Sequence, residues 1–122
     1  MDIEKLCYSD TAIEKGWNNK PSCLHVYMNL QQLCSVLDSL EKILGVDIIV
    51  NSGYRSPHLN EIVGGVLGSW HTLGLAADIR VENTARCTLT DLKNLCKELR
   101  KTRLSEVVEY DNYVHIAIKP YN

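Results

Sequence analysis

Ser69, His71, Gly74, Ala76 and Asp78 form an S-x-H-x-x-G-x-A-x-D string within a chain of 122 residues. Neutral imidazole nitrogen and carboxylate oxygen are both good zinc ligands, so the string offers two of the three protein ligands that a catalytic zinc site needs. A His and an Asp seven residues apart are too far along the chain to be neighbours on one helical turn. They meet if His71 lies in a loop and Asp78 on the strand that follows, with the chain folded back so that both face one cavity. Small Gly74 and Ala76 let that return pack closely. A third ligand must come from elsewhere, and His115 is the candidate. Val114, Ile116 and Ile118 alternate with it and turn it away from their apolar face. His25 and His58 lack such company and read as surface or hydrogen-bonded structural residues.

The elements that must hold these side chains are legible in the hydrophobic pattern. Ser9 can cap a short helix over 10–15 that Gly16 ends. Val26, Leu30, Leu33, Leu37, Leu40 and Leu44 recur every three or four positions, which predicts a long core helix over 24–44 with Gly45 as its stop. Residues 46–50 read as a strand that runs into a loop at Asn51, Ser52 and Gly53. Pro57 starts a short helix through Val63, closed by Gly64 and Gly65. A strand over 75–81 and an amphipathic helix over 88–102 follow. The segment 106–119 reads as a β-hairpin around Asp111 and Asn112. The expected class is α+β, a small antiparallel sheet with helices packed against it and the metal site in a cleft on the sheet. One domain over 1–122 accommodates all of it, because a chain this long can bury a core unaided.

Composition removes several functions. Apolar residues make up 45% and charged residues 23%, the balance of a water-soluble globular protein. Thirteen Lys and Arg against 15 Asp and Glu leave a net charge of -2 with no basic run, so nucleic acid is not an expected partner. No segment has the apolar length to span a membrane, and the first nine residues lack the basic start and apolar run of a secretory signal. The product is therefore expected to be a cytoplasmic monomer as synthesised. Five cysteines without a CxxC pair suit reduced thiols, and Cys34 and Cys96 fall in apolar-periodic stretches where they act as small hydrophobes.

Taken in order, Ser52-Gly53-Tyr54-Arg55-Ser56-Pro57, the Gly64-Gly65 pair, the Ser69 to Asp78 string and Tyr113-Val114-His115-Ile116 closely resemble the D-alanyl-D-alanine carboxypeptidase family of zinc peptidases. The short single-domain members found in phages and prophages are the most similar, and Ser9-Asp10-Thr11-Ala12 with Gly16 extends the likeness to nearly the whole chain. The resemblance implies that His71, Asp78 and His115 bind Zn2+, that Arg55 faces the scissile carbonyl, and that Ser69 helps to hold substrate. Trp70 and Tyr113 read as pocket walls. Three protein ligands leave a fourth place for water, which zinc makes acidic enough to attack at neutral pH, and a cationic Arg can stabilise the developing oxyanion.

The general base is where this chain departs from the wider family. Several relatives carry Glu three residues before the last His; here Asn112 stands there and cannot take a proton. The short phage-type members often place it six before, at Glu109. A three-residue turn over 111–113 would pair Tyr110 with Val114 and set Glu109 opposite His115, with Val108, Tyr110, Val114, Ile116 and Ile118 on one apolar face. A two-residue turn would instead send Glu109 to the other face and group Glu106 with His115. The hydrophobic pattern favours the first register, so Glu109 is the expected base, with Glu106 and Asp111 as lesser candidates.

The resulting expectation is an enzyme, a zinc metallopeptidase of the carboxypeptidase or endolysin type. Its substrate would be the stem peptide of bacterial peptidoglycan, reached once another protein or lysis releases it to the cell wall. Two rivals use the same fold. One is a binding module with the metal cage but no turnover, which loss of the base would mark. The other is a phage accessory protein in which zinc only staples the fold, which needs a closed fourth position.

Overall fold

The computed structural model describes residues 1–119. Its elements are α1 (Ile3–Cys7), α2 (Asp10–Lys15), α3 (Leu24–Leu44), β1 (Ile49–Ser52), α4 (Pro57–Ile62), a 3-10 helix (Trp70–Leu73), β2 (Ala76–Arg80), α5 (Leu89–Leu99), β3 (Leu104–Glu109) and β4 (Val114–Ile118). The class is α+β, as the patterns indicate. Three elements depart from the pattern. The 3-10 helix takes the place of the loop expected around His71. The first helix, capped by the Asp2 carboxylate, is too short to show a period. The first strand sits over Ile49–Ser52 instead of 46–50, so the loop signal at Asn51 and Ser52 falls on an irregular pairing between Val50 and Ser52.

The four strands form one antiparallel sheet in the order β1-β2-β4-β3. Leu30, Leu33, Leu37 and Leu40 of α3 and Leu92 and Cys96 of α5 lie in one buried cluster with Ala77, Ile79, Val114, Ile116 and Ile118. Those strand residues share one face, and the helices cover it. The Ser9 cap and the glycine stops are as expected, with Gly16 and Gly45 at left-handed φ of 71° and 70°, and Thr88 and Asp91 add a capping box on α5.

The hairpin corrects the expected register. The turn holds two residues, Asp111 and Asn112, with the Tyr110 amide donating to the Tyr113 carbonyl at 3.0 Å. Glu109 therefore pairs with Val114, and Val108 pairs with His115. Adjacent valines misled the pattern, since either Val107 or Val108 can serve as the inward residue. In the fold Val107 packs on the core while Val108 and Tyr110 are 41% and 46% exposed. A bulge between Leu104 and Glu106 then returns Leu104 to the core. The two-residue turn also stacks Tyr110 on Tyr113, ring centroids 4.6 Å apart, a pairing worth about 0.5–1.5 kcal/mol beyond burial.

Among the described residues no helix is long and apolar enough to cross a membrane. All five cysteines are free. Burial pushes the Cys34 and Cys96 thiols up to about 11 and about 12, as expected of inert core thiols.

Candidate metal centre

Asp78 lies mid-strand on β2, directly between Ser52 of β1 and His115 of β4. Direct cross-strand partners share a face, so Ser52, Asp78, His115 and Val108 form a row across all four strands, on the side away from the core helices. Alternation within β4 turns His115 to that side for the reason read from the sequence: Val114, Ile116 and Ile118 are buried beneath the helices.

His71 reaches the same place from the 3-10 helix. The Ser69 hydroxyl accepts from the His71 amide at 3.2 Å and so starts that turn. Gly74 ends it with a left-handed φ of 73°, where an added Cβ would lie 2.9 Å from the Val26 carbonyl oxygen of α3. The buried Asn29 of α3 donates to the Leu73 carbonyl at 2.9 Å and pins the turn to the long helix. His71 is itself tied to the loop after β1: its Nδ1–H donates to the Gly53 carbonyl at 2.7 Å, and the Arg55 amide donates to the His71 carbonyl at 3.1 Å. A carbonyl can only accept, so Nε2 is the nitrogen that keeps its lone pair.

That nitrogen points at Asp78. His71 Nε2 is 3.3 Å and His115 Nδ1 is 2.8 Å from Asp78 Oδ1. One ligand atom from each of the three residues lies within 4.8 Å of the others, and His71 is only 3% exposed. The donor set, two imidazoles and a carboxylate, is one that zinc accepts, and the tautomer of His71 is already the ligating one. The residues present fit the metal.

The electrostatics agree with that use. Burial pushes the Asp78 carboxyl up, but the hydrogen bond from His115 and the two adjacent imidazoles outweigh it and hold the group well below the usual carboxylate range. His115 is raised, first by its hydrogen bond to Asp78, then, against the opposing effect of burial, by Glu106. Asp78 thus stays ionised at neutral pH.

Arg55 stands beside the group. Its Nε donates to Ser52 Oγ at 3.0 Å, one terminal nitrogen to Asn60 Oδ1 at 3.2 Å, and the other pairs with Asp78 Oδ2 at 3.5 Å. Asp78 therefore serves the histidines with one oxygen and the arginine with the other. Asn60 is buried and also donates to the Val66 carbonyl at 2.9 Å. Gly65 lies against it so closely that a Cβ there would overlap the Asn60 amide.

The acidic candidates separate. Glu109 lies on the core side of β3, where α5 packs, and pairs with Lys97 at 3.1 Å; it is not brought to the His-Asp-His group. Asp111 is an exposed residue of the turn. Glu106, the lesser candidate, is the one that reaches the row, with Oε1 3.1 Å from His115 Nε2. Ser69 spends its hydroxyl on starting the turn of His71, Trp70 is partly exposed, and Tyr113 stacks on Tyr110.

Supporting residues carried weaker signals. Ser52 and Gly53 stood in the motif without a role; Ser52 holds Arg55 and Gly53 holds His71. The Gly64-Gly65 pair read only as a helix stop, yet one glycine suffices for a stop, and the second marks the close approach of Asn60. Asn19 gave no signal. It is buried, donates to the carbonyls of Cys7 and Tyr54 at 2.9 Å each, and accepts from the Ser56 amide at 2.8 Å, locking the Arg55 loop to α1.

Fold and site together define an α+β chain with a candidate metal centre on the face of the sheet opposite its core helices. The family model of Peptidase M15 matches residues 1–117, and the chain belongs to that family. A search among curated proteins finds no match.

Proposed function

We propose that this chain is a zinc-dependent peptidase that hydrolyses a peptide bond in the stem peptides of bacterial peptidoglycan. The observation that carries the reading is the convergence of His71 Nε2, His115 Nδ1 and the ionised Asp78 beside a fixed arginine, in a chain of the Peptidase M15 family. His71, Asp78 and His115 would hold the metal. Zinc, when bound, acts as a Lewis acid that polarises a carbonyl and makes water nucleophilic at neutral pH.

The chain's own side chains supply the rest. Arg55, held by Ser52, Asn60 and Asp78, presents a fixed positive charge where the carbonyl oxygen of a bound peptide gains negative charge. Because its three partners fix the guanidinium before substrate arrives, little reorganisation is needed in the reaction. Ser69, two residues before His71, is proposed to contact the peptide. Glu109 lies on the opposite side of the sheet from His71, Asp78 and His115. The peptidoglycan substrate rests on family membership.

The placement of Glu109 also supports a second reading, a binding module with the same cage and no turnover. Digestion of purified peptidoglycan with zinc-loaded protein, read by mass spectrometry, separates the two. New soluble fragments, whose masses identify the bond cut, are expected of the enzyme. Zinc binding near one equivalent per chain with no new fragments would leave the binding module standing.

A further inference from the structure

An imidazole carries its nitrogens on opposite edges of the ring, so a histidine that faces a metal with one must turn the other toward something else. His71 solves this with the Gly53 carbonyl at Nδ1, leaving Nε2 for the centre. His115 uses the reverse arrangement. Its Nδ1 is 2.8 Å from Asp78 Oδ1, the same oxygen that His71 Nε2 approaches at 3.3 Å, while its Nε2 faces Glu106 Oε1 at 3.1 Å.

We propose, on the zinc-peptidase reading above, that Glu106 is a positioning residue of the metal centre. By accepting the Nε2–H of His115 it would fix the ring so that Nδ1 is the ligating atom. Three observations support this. The two-residue turn puts its side chain on the face of His115, at the next same-face pair, opposite the small Ala117. The compact ligand group is His71, Asp78 and His115, and Glu106 is not part of it. Among the described residues the one ion-pair partner of Glu106 is His115, whereas Glu109 is neutralised by Lys97.

A carboxylate is a stronger acceptor than the carbonyl used by His71, so it also makes the imidazole a better donor to the metal. It stands at the far edge of the ring from Asp78, which separates this role from that of a proton acceptor for attacking water. A general base must come within hydrogen-bond reach of the proton it takes.

The test is zinc affinity, measured by competition with a chromogenic chelator on full-length wild type, Glu106→Ala and Glu106→Gln, with hydrolysis followed alongside. Glu106→Ala is expected to bind zinc roughly 10–100-fold more weakly, the usual effect of removing such a partner. Glu106→Gln keeps an acceptor oxygen but loses the charge, and is expected to bind zinc more weakly than wild type and more tightly than Glu106→Ala. Nitrogen-15 NMR of the zinc-loaded wild type should show His115 protonated at Nε2. Wild-type affinity in Glu106→Ala, or zinc on His115 Nε2, would overturn the positioning role alone. A Glu106→Gln protein with full zinc affinity and no hydrolysis would overturn it in favour of a base. Failure of the wild type to bind zinc would overturn the metal-centre reading itself.

Discussion

Replacing Gly65 with Ala tests whether Arg55 depends on its anchor. An added Cβ would lie 2.7 Å from Asn60 Cγ and 3.1 Å from an Arg55 terminal nitrogen, and would overlap Asn60 Oδ1. Gly65 does not have a left-handed φ, so the alanine backbone itself is tolerated and the side chains must yield. Asn60 is held at both ends, by Arg55 and by the Val66 carbonyl, and moving it breaks at least one of those bonds. Overpacking of this kind costs about 1–3 kcal/mol, which for a chain of this size lowers Tm by roughly 3–15 °C. A guanidinium shifted by about 1 Å costs on the order of a hundredfold in rate. Zinc affinity should be unchanged, because no ligand touches Asn60. Gly64→Ala is the control: φ is 76° and nothing lies within 4 Å, so backbone strain of about 1 kcal/mol is its only cost. Thermal unfolding, chelator competition and kcat/KM on both variants give the answer. A Gly65→Ala protein with wild-type Tm and rate, or a Gly64→Ala protein slowed as much, would refute the reasoning.

Arg55→Ala should keep zinc and lower kcat by about a hundredfold or more, since its charge matters as negative charge develops on the carbonyl oxygen; an unaltered kcat removes Arg55 from the site. Glu109→Gln loses only a half-exposed pair with Lys97, so stability should change by less than about 1 kcal/mol and hydrolysis should persist; loss of hydrolysis at full zinc occupancy would show that Glu109 acts despite its place on the core side. The pH dependence of the metal-free chain follows from His115, whose folded pKa lies above the ordinary value of about 6.5 through Asp78 and Glu106. A raised value means stability that is complete below 6.5 and lost as pH climbs through the folded value, so Tm in chelator should fall over the interval above about pH 6.5. Zinc should reverse that trend because it displaces the proton on the ligating nitrogen; a chelated Tm that rises over the interval contradicts the assignment.

Much of the fold was legible because it rests on periodicities that burial enforces. The leucine stripe of 24–44, the glycine stops at 16 and 45 and the alternation of 114–118 each serve one core, and each appears where the pattern put it. The His71, Asp78 and His115 group was legible partly for a related reason and partly through the family resemblance. His71 and Asp78 come from one short string whose small residues permit the return, and His115 is turned outward by the apolar neighbours that must be inward.

What the sequence by itself determined is therefore the class, the longer helices and the outward turn of His115, all local consequences of which side chains avoid water. What only tertiary structure decided is which acid meets that row and what holds its arginine. Val107 and Val108 fit the core equally well as a pattern, so the register of Glu106 and Glu109 waited on a two-residue turn and the packing of α5 over β3. The anchors of Arg55 and His71 are likewise an amide, a hydroxyl and a carbonyl brought together from separate elements. Polar groups of that kind leave no periodic trace in a chain, because their partners are chosen by proximity after folding and not by the hydrophobic pattern that drives it.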